Sequence, residues 1–353
     1  MSARVPAFIL GGTGYVAGEL LRLVLAHPRL ELAAIASDSK PGEPVSRAFP
    51  HLAAACGDLA YVSIAEVTDR ISKLPRSAVL AAAPHGVSHR LIDSILAYAE
   101  AAGAKPAVVD ISADYRFADL GEYQRIYGHA HGAPERAGQF TCAVPEHLDR
   151  SPTPHVAHPG CFSTATLLAS VPLLALDLIE PQLFVSAITG STGSGRSPTA
   201  STHHPLRHSD LYSYGALTHR HGAEITALAR AAAGREGRFA FVPHSGPFAR
   251  GIHATVQAQL KHPLDSAGAI AALQGFYAGR PFVRVQDEPP RLKDVVGSNY
   301  ARLSAAADGH TIVVMSVVDN LVKGAAGGAI QWMNRLLGFQ ETDGLTAPAP
   351  GWT

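Results

Sequence analysis

The strongest constraint on this chain lies in its first forty residues. A short apolar run, Ala7-Phe8-Ile9-Leu10, stops at the glycine-rich turn Gly11-Gly12-Thr13-Gly14-Tyr15-Val16-Ala17-Gly18. Leucine and valine at helical spacing follow from Glu19 to Ala26, Pro28 ends that helix, and Leu30 to Ala36 is a second apolar run of strand composition. Strand, tight turn, helix and strand in that order call for parallel strands joined by a crossover helix. Further apolar runs at Ala78–Ala82 and Ala107–Ile111, with helical stretches between them, extend the pattern to a Rossmann-type, doubly wound α/β sheet. Within the turn, Gly11 permits the sharp reversal, Gly14 lets the backbone approach a pyrophosphate, and Ala17 or Gly18 allows close packing of helix on strand. The opening of the helix then presents free N–H groups and the positive end of its dipole to phosphate.

A dinucleotide site is therefore expected over Gly11, Thr13, Gly14, Tyr15 and Val16. The end of the second strand reads the ribose. There the sequence is Ser37-Asp38-Ser39-Lys40. The hydroxyls of Ser37 and Ser39 and the ammonium of Lys40 suit a 2′-phosphate, whereas Asp38 suits a free 2′-hydroxyl; the balance favours NADP(H).

The later part of the chain changes character. Phe184–Ile188, Phe239–Val242, Ile252–Leu260 and Thr311–Val318 have alternating or β-rich composition. They predict an α+β domain with a mixed or antiparallel sheet and helices on one face. A helix rich in alanine and glycine, Lys323–Leu337, closes the fold, and the proline-rich tail Ala347–Thr353 reads as a loosely ordered arm. At 353 residues the chain is long enough for two domains of about 150 residues each. The expected division is 1–160, the cofactor domain, with 320–353 returning to it, and 161–319, a catalytic and oligomerisation domain. Lys plus Arg balance Asp plus Glu at 29 each, so no global field draws the chain to nucleic acid or an anionic membrane. Anionic ligands must be held by local arginines and backbone dipoles. Cys56, Cys142 and Cys161 form neither a disulfide framework nor a metal-ligand spacing. With no signal-peptide pattern and no apolar run near ~18 residues, a cytoplasmic protein without metal or membrane span is expected.

The chemistry is carried by His158-Pro159-Gly160-Cys161-Phe162-Ser163-Thr164-Ala165. Pro159 and Gly160 break a strand, and Phe162–Leu176 reads as a helix interrupted at Pro172. Cys161 then stands at a helix N-terminus, where the dipole and unpaired N–H groups favour thiolate over thiol and can steady an oxyanion beside the sulfur. Cys56 and Cys142 lack such a setting and read as inert core thiols. An acid/base partner is offered by His219-Arg220-His221, with Glu224 three and five residues along an apparent helix to orient either imidazole.

With these residues in view the chain resembles N-acetyl-gamma-glutamyl-phosphate reductase, the arginine-pathway family of the semialdehyde dehydrogenase group. The resemblance covers nearly the whole chain. It rests on the glycine turn with Gly18-Glu19-Leu20, Pro84-His85-Gly86, Asp110-Ile111-Ser112-Ala113-Asp114-Tyr115-Arg116, Val144-Pro145-Glu146 and the Pro159-Gly160-Cys161 box. It continues through His219-Arg220-His221 with Glu224, Pro243-His244, Arg250-Gly251-Ile252 and Asp319 to Gly327. The resemblance implies a homodimeric or homotetrameric enzyme that reduces an acyl phosphate with NADPH through a thioester on Cys161. It implies His219 as the acid/base, oriented by Glu224, with His221 the other choice. Asn320, Lys323 and Gly324 are expected beside the nicotinamide, and Arg116, Arg196 and Arg250 on the substrate's anionic groups. Ser191-Thr192-Gly193-Ser194-Gly195-Arg196 and Thr202-His203-His204-Pro205 are similar to the branch acting on carrier-linked aminoadipyl phosphate, which would add a small carrier protein as partner. Aspartyl phosphate as substrate, and a dinucleotide-sensing regulator with a vestigial site, are the remaining alternatives.

Overall fold

The computed structural model describes residues 4–352; Thr353, the end of the predicted arm, lies outside them. The chain forms two compact units, one of Met1–Cys142, Arg150–His158 and Ala326–Thr346, the other of Ala143–Asp149, Pro159–Ala325 and Ala347–Thr353.

In the first unit, Val5–Leu10 (β1), Leu30–Ile35 (β2), Arg76–Ala81 (β3), Lys105–Asp110 (β4), Phe140–Cys142 (β5) and His155–Ala157 (β6) form one sheet in the order β2-β1-β3-β4-β6-β5. Every pairing is parallel. The central strands are buried along their length rather than in alternation, as strands covered on both faces must be. Tyr15–Leu25 (α1) crosses from β1 to β2; Ile64–Ser72 (α2) and Ser88–Ala101 (α3) supply Val67, Ile71, Ile92, Ile95 and Leu96 to a core shared with Phe8, Leu10, Val79 and Val108. The strand order reverses at β1, and the crevice at such a reversal is where doubly wound sheets take ligands. Helix Gly327–Leu336 lies against α1 and β4. It is anchored by His27, whose Nδ1 accepts the N–H groups of Arg29 and Leu30, leaving Nε2–H to donate to Asn334 Oδ1 at 3.0 Å.

α1 begins at Tyr15, four residues earlier than its leucine spacing alone predicts. Gly14 is the extended N-cap residue, and Gly18 already donates to the Gly14 carbonyl. Gly18 belongs to the helix because the ring of Phe49 occupies its missing side chain: a Cβ there would meet Phe49 Cε1 at 2.7 Å.

In the second unit, Ile179–Thr189 (β7), Tyr212–Ser213 (β8), Arg238–Ser245 (β9), Ile252–Leu260 (β10), Val283–Val285 (β11), Ala301–Ala307 (β12) and Thr311–Val318 (β13) form a mixed sheet, β11-β12-β13-β10-β7-β9-β8. Ile252, Ala254, Val256 and Ala258 of β10 are buried on one face, while Gln257 and Gln259 are exposed on the other. Cys161–Ala175 (α4) covers the buried face and is itself buried all round from Phe162 to Leu174. A helix apolar on every side belongs in a core. Leu167, Leu168, Val171 and Leu173 are at most 1% exposed, each burial contributing roughly 1.5–3 kcal/mol.

The predicted interruption at Pro172 does not occur; α4 runs through it. A proline cannot donate to the carbonyl four residues back. That carbonyl, Leu168 O, instead accepts the hydroxyl of Tyr277 at 2.7 Å. The segment Ala143–Asp149 groups with this second unit rather than with its sequence neighbours because Lys323 reaches Glu146 Oε1 at 2.6 Å, both side chains fully buried, and His147 meets Tyr277 at 2.9 Å. Residues 347–352 carry no helix or strand and belong to the same unit, Pro350 lying over Gly297. Among the described residues no helix is long and apolar enough to cross a membrane.

Candidate active site

Cys161 is the first residue of α4, following an extended Gly160 that offers no side-chain cap. Cys161 is in no disulfide and half-buried, whereas the next thirteen residues are buried. The residue therefore stands at the positive end of a fifteen-residue helix. The turn is fastened on both sides. Gly160 N–H donates to Glu224 Oε1 at 2.6 Å, and the Gly160 carbonyl accepts both N–H and hydroxyl of Thr164. Behind the cysteine lies Gly324, where a Cβ would come within 2.7 Å of Cys161 Cβ and 3.0 Å of its Cα. Only a glycine allows the Val322–Ala326 turn to press on Cys161 so closely.

Helix His221–Ala233 (α5) brings the histidine pair and Glu224 to this turn. The rings of His219 and His221 stand 4.8 Å apart, and Phe162, Phe241 and Tyr214 surround His219 at 5.8, 5.7 and 5.6 Å. Burial among these rings, reinforced by the charge of Arg220 and opposed by Glu224, brings the His219 pKa down to about 4. The imidazole is neutral at pH 7. Its Nδ1 accepts the backbone N–H of His221 at 3.1 Å, so the neutral ring carries its proton on Nε2. His219 is thus presented as a hydrogen-bond donor. Glu224, itself buried, ties α5 to the cysteine turn.

Tyr214 has no counterpart in the sequence reading. Its phenol is pushed above the ordinary range by burial and then by the charge of Cys161, which places it in the electrostatic field of the sulfur. No spacing marks it out: it is one of two tyrosines in Tyr212-Ser213-Tyr214, and only the pairing of β8 with His244 and Ser245 of β9 turns it toward His219.

The segment 319–324 is built around Asp319, wholly buried. It accepts N–H groups from Gly297, Leu321 and Val322 and pairs with Arg250 at 3.0 Å. Asn320 accepts Gly251 N–H at 2.7 Å and donates to Thr192 Oγ1 at 3.0 Å. Arg250, Asn320 and Gly324 thus belong to one scaffold with Cys161. Lys323 is spent inward on Glu146, and its ammonium reaches a cofactor only by abandoning that buried partner. Arg116 is buried in the first unit, its Nε on the His158 carbonyl and its Nη2 on that of Ile111, an internal brace rather than an open cation. Arg196 is exposed in the loop after Ser191–Ser194.

The glycine turn of the first unit fits a dinucleotide. Gly11 has φ +73°, and a Cβ there would strike the Ala83 backbone at 2.6 Å. Gly14 faces open space, with nothing within 4 Å of an added Cβ, at a helix start without side-chain cap or acidic residue. Thr13 N–H bonds to Gly11 O, and Tyr15 and Val16 form the partly exposed first turn. Past β2, Ser37 and Ser39 hydroxyls lie 3.2 Å apart and Lys40 pairs with Glu43. Asp38 Oδ1 accepts the N–H of Ile64 at 2.9 Å, so this carboxylate is turned to a helix start of its own unit. The remaining donors, two hydroxyls and an ammonium, suit a 2′-phosphate.

Comparison with known proteins places both parts of the chain in one family. Residues 6–151 match the model for the semialdehyde dehydrogenase NAD-binding domain, and residues 161–320 that for the semialdehyde dehydrogenase dimerisation domain. The chain is 38% identical to N-acetyl-gamma-glutamyl-phosphate reductase of Rhodospirillum rubrum, over 98% of each chain. It is 36% identical, over 99% of each, to an Aeropyrum pernix protein provisionally named as a reductase of LysW-linked aminoadipate or glutamate phosphate. Among solved structures, aspartate semialdehyde dehydrogenase II of Vibrio cholerae shares the fold, with a TM-score of 0.69 at 14% identity over 96% of this chain and 99% of that one.

Proposed function

The chain belongs to the N-acetyl-gamma-glutamyl-phosphate reductase family of semialdehyde dehydrogenases, and on that premise we propose that it reduces N-acetyl-γ-glutamyl phosphate to the semialdehyde and phosphate with NADPH, through a thioester on Cys161. The observation that carries the chemistry is the cysteine at the uncapped start of α4, backed by Gly324, with Tyr214 in its electrostatic field and His219 packed against Tyr214.

The Cys161 thiolate adds to the acyl carbon; the S–C bond forms, the bond to the phosphate oxygen breaks, and phosphate leaves with that electron pair. The glycine turn would hold NADPH, which when bound would supply the hydride for reduction of the thioester. The backbone N–H groups at the start of α4 and Nε2–H of His219 steady the oxyanion of the hemithioacetal. When its carbonyl re-forms, the C–S bond breaks and the electrons return to sulfur, releasing aldehyde and regenerating thiolate. Arg250, held by Asp319, supplies the cation for the substrate's phosphate. Gly11, Gly14 and the first turn of α1 would hold the pyrophosphate, and Ser37, Ser39 and Lys40 the 2′-phosphate. We further infer a homo-oligomer working in the cytoplasm. Incubation with acyl phosphate without cofactor, followed by mass spectrometry, is expected to show an acyl adduct on Cys161 and none in Cys161→Ala. Turnover by Cys161→Ala would end the covalent route.

A second reading keeps the chemistry and links the acyl group to a small carrier protein, favoured by the Aeropyrum pernix relative. Comparing turnover of N-acetylglutamyl phosphate with its carrier-linked, one-carbon-longer homologue separates the two.

A further inference from the structure

One arginine of the second unit is set apart from all those considered above. The stretch 203–211 is exposed at every position except Arg207, which is only 8% exposed. Arg207 closes the short helix His204–Arg207, and its Nη1 donates to the Asp210 carbonyl at 3.0 Å. Its Nε and Nη2 are both buried and find no hydrogen-bond partner among the described residues. Burying a cation's donors unsatisfied is unfavourable, so the folded chain holds this group in a state that a ligand would relieve. The turn behind it is also strained: Ser209, not a glycine, sits at φ +58°.

The two unspent nitrogens are not a random pair. Nε–H and Nη2–H lie on one edge of the planar guanidinium, point the same way, and match the two oxygens of a carboxylate. Downstream, the segment leads to the histidine pair. Tyr212–Ser213 pairs with Ser245 and His244 of β9, and the next residue, Tyr214, packs against His219. Arg250 gives its Nη2 to Asp319, Arg116 is spent on two carbonyls, and Arg196 is exposed, so none of them offers a whole buried Nε–Nη2 edge.

We propose that Arg207 binds the substrate carboxylate remote from the reacting carbon, through its Nε–Nη2 edge, and so sets the enzyme's choice of acyl chain. The inference rests on the reduction proposed above and adds the residue that selects its substrate. The same edge would accept a phosphate, and the test separates the two anions.

The reaction is run in reverse, with NADP and phosphate, on N-acetylglutamate semialdehyde and on 4-acetamidobutanal, the same aldehyde without the carboxylate. The wild-type enzyme is expected to prefer the carboxylated aldehyde by about 100-fold or more in kcat/KM, the loss typical when one partner of a buried charge pair is removed. Arg207→Met should bring that ratio to within a few-fold of one, with the KM for phosphate little changed. Arg207→Lys, which keeps the charge and loses the fork, should fall between. Thermal melting and alkylation of Cys161 confirm that each variant is folded. A ratio retained in both variants overturns the proposal. A ratio retained with a raised KM for phosphate overturns it in favour of a phosphate site. A wild-type enzyme that oxidises neither aldehyde would instead remove the reduction reading itself.

Discussion

Gly324→Ala tests the packing of the nucleophile most directly. The Cβ it adds would lie 2.7 Å from Cys161 Cβ and 3.0 Å from Cys161 Cα. Carbon atoms rest at about 3.5–4.0 Å, so the two segments must part by roughly 1 Å. Neither contact is the far end of a flexible side chain. Gly324 N–H is also held by the Asp319 carbonyl at 2.9 Å, which opposes a shift on that side. Gly324 is not in the left-handed region, so alanine adds contact without backbone strain. A misplacement of about 1 Å at the reacting atom costs on the order of 100-fold, and overpacking costs about 1–3 kcal/mol of stability. The variant is therefore expected to lose roughly 100-fold in kcat and to slow alkylation of Cys161 by iodoacetamide. Binding of NADPH to the glycine turn, followed by its fluorescence, should persist. Wild-type kcat in a folded Gly324→Ala enzyme would show that this contact does not position the sulfur.

Three further outcomes are expected. His219→Asn should lower kcat by about 100-fold, the range for losing one oxyanion donor, while Cys161 remains alkylable; if His221→Asn is the damaging change, the two roles are exchanged. Lys323→Met leaves Glu146 buried without its cation and should cost about 3–5 kcal/mol in chemical denaturation, part of it recovered by adding Glu146→Leu; a loss below about 1 kcal/mol would argue against a tight pair. Stability should fall as the pH is lowered from 6.5 toward 4: burial brings His147, His155 and His219 each to about 4, so the unfolded chain takes up protons that the folded chain refuses. Asp110, raised to about 6 by burial, acts in the opposite sense because its folded form holds a proton that the unfolded form releases. Three protons against one leave acid destabilising, and a melting temperature that rises on acidification would contradict the assignment.

What the sequence made legible were features whose cause is local. Ile252–Leu260 and Thr311–Val318 are read to the residue because alternation and polar flanks set both ends. The glycine turn is equally plain, since strand, reversal and helix follow within twenty residues. Errors arose where a distant partner decides. The start of α1 depends on Phe49 filling the space above Gly18, and continuity through Pro172 depends on a hydroxyl 109 residues from the carbonyl it satisfies. Tyr214 shows no signal because a two-residue strand pairing, not its own sequence, aims it at the site. A lysine inside a functional motif reads as a ligand contact, yet the partner of Lys323 lies 177 residues away, in a segment that spacing gives no reason to bring there.

The same geometry bears on how the thiol is activated. A thiolate–imidazolium pair requires the imidazole to take the thiol's proton. His219 is poorly placed for that, because Nε2 already carries a proton, Nδ1 is occupied by the His221 N–H, and burial brings the ring's pKa to about 4. The charge that favours thiolate must then come mainly from the start of α4, whose N–H groups no side chain caps. This division of labour suits the proposed reaction. A cationic histidine would hold the sulfur's charge and blunt its attack, and would attract the departing phosphate. A neutral donor leaves the thiolate free and adds its hydrogen bond when the oxyanion forms on the neighbouring carbon. Glu224 has a reason in this arrangement as well: by accepting the Gly160 N–H it fixes the turn that aims the dipole, which is why a carboxylate beside a nucleophile stabilises it without lending it a proton.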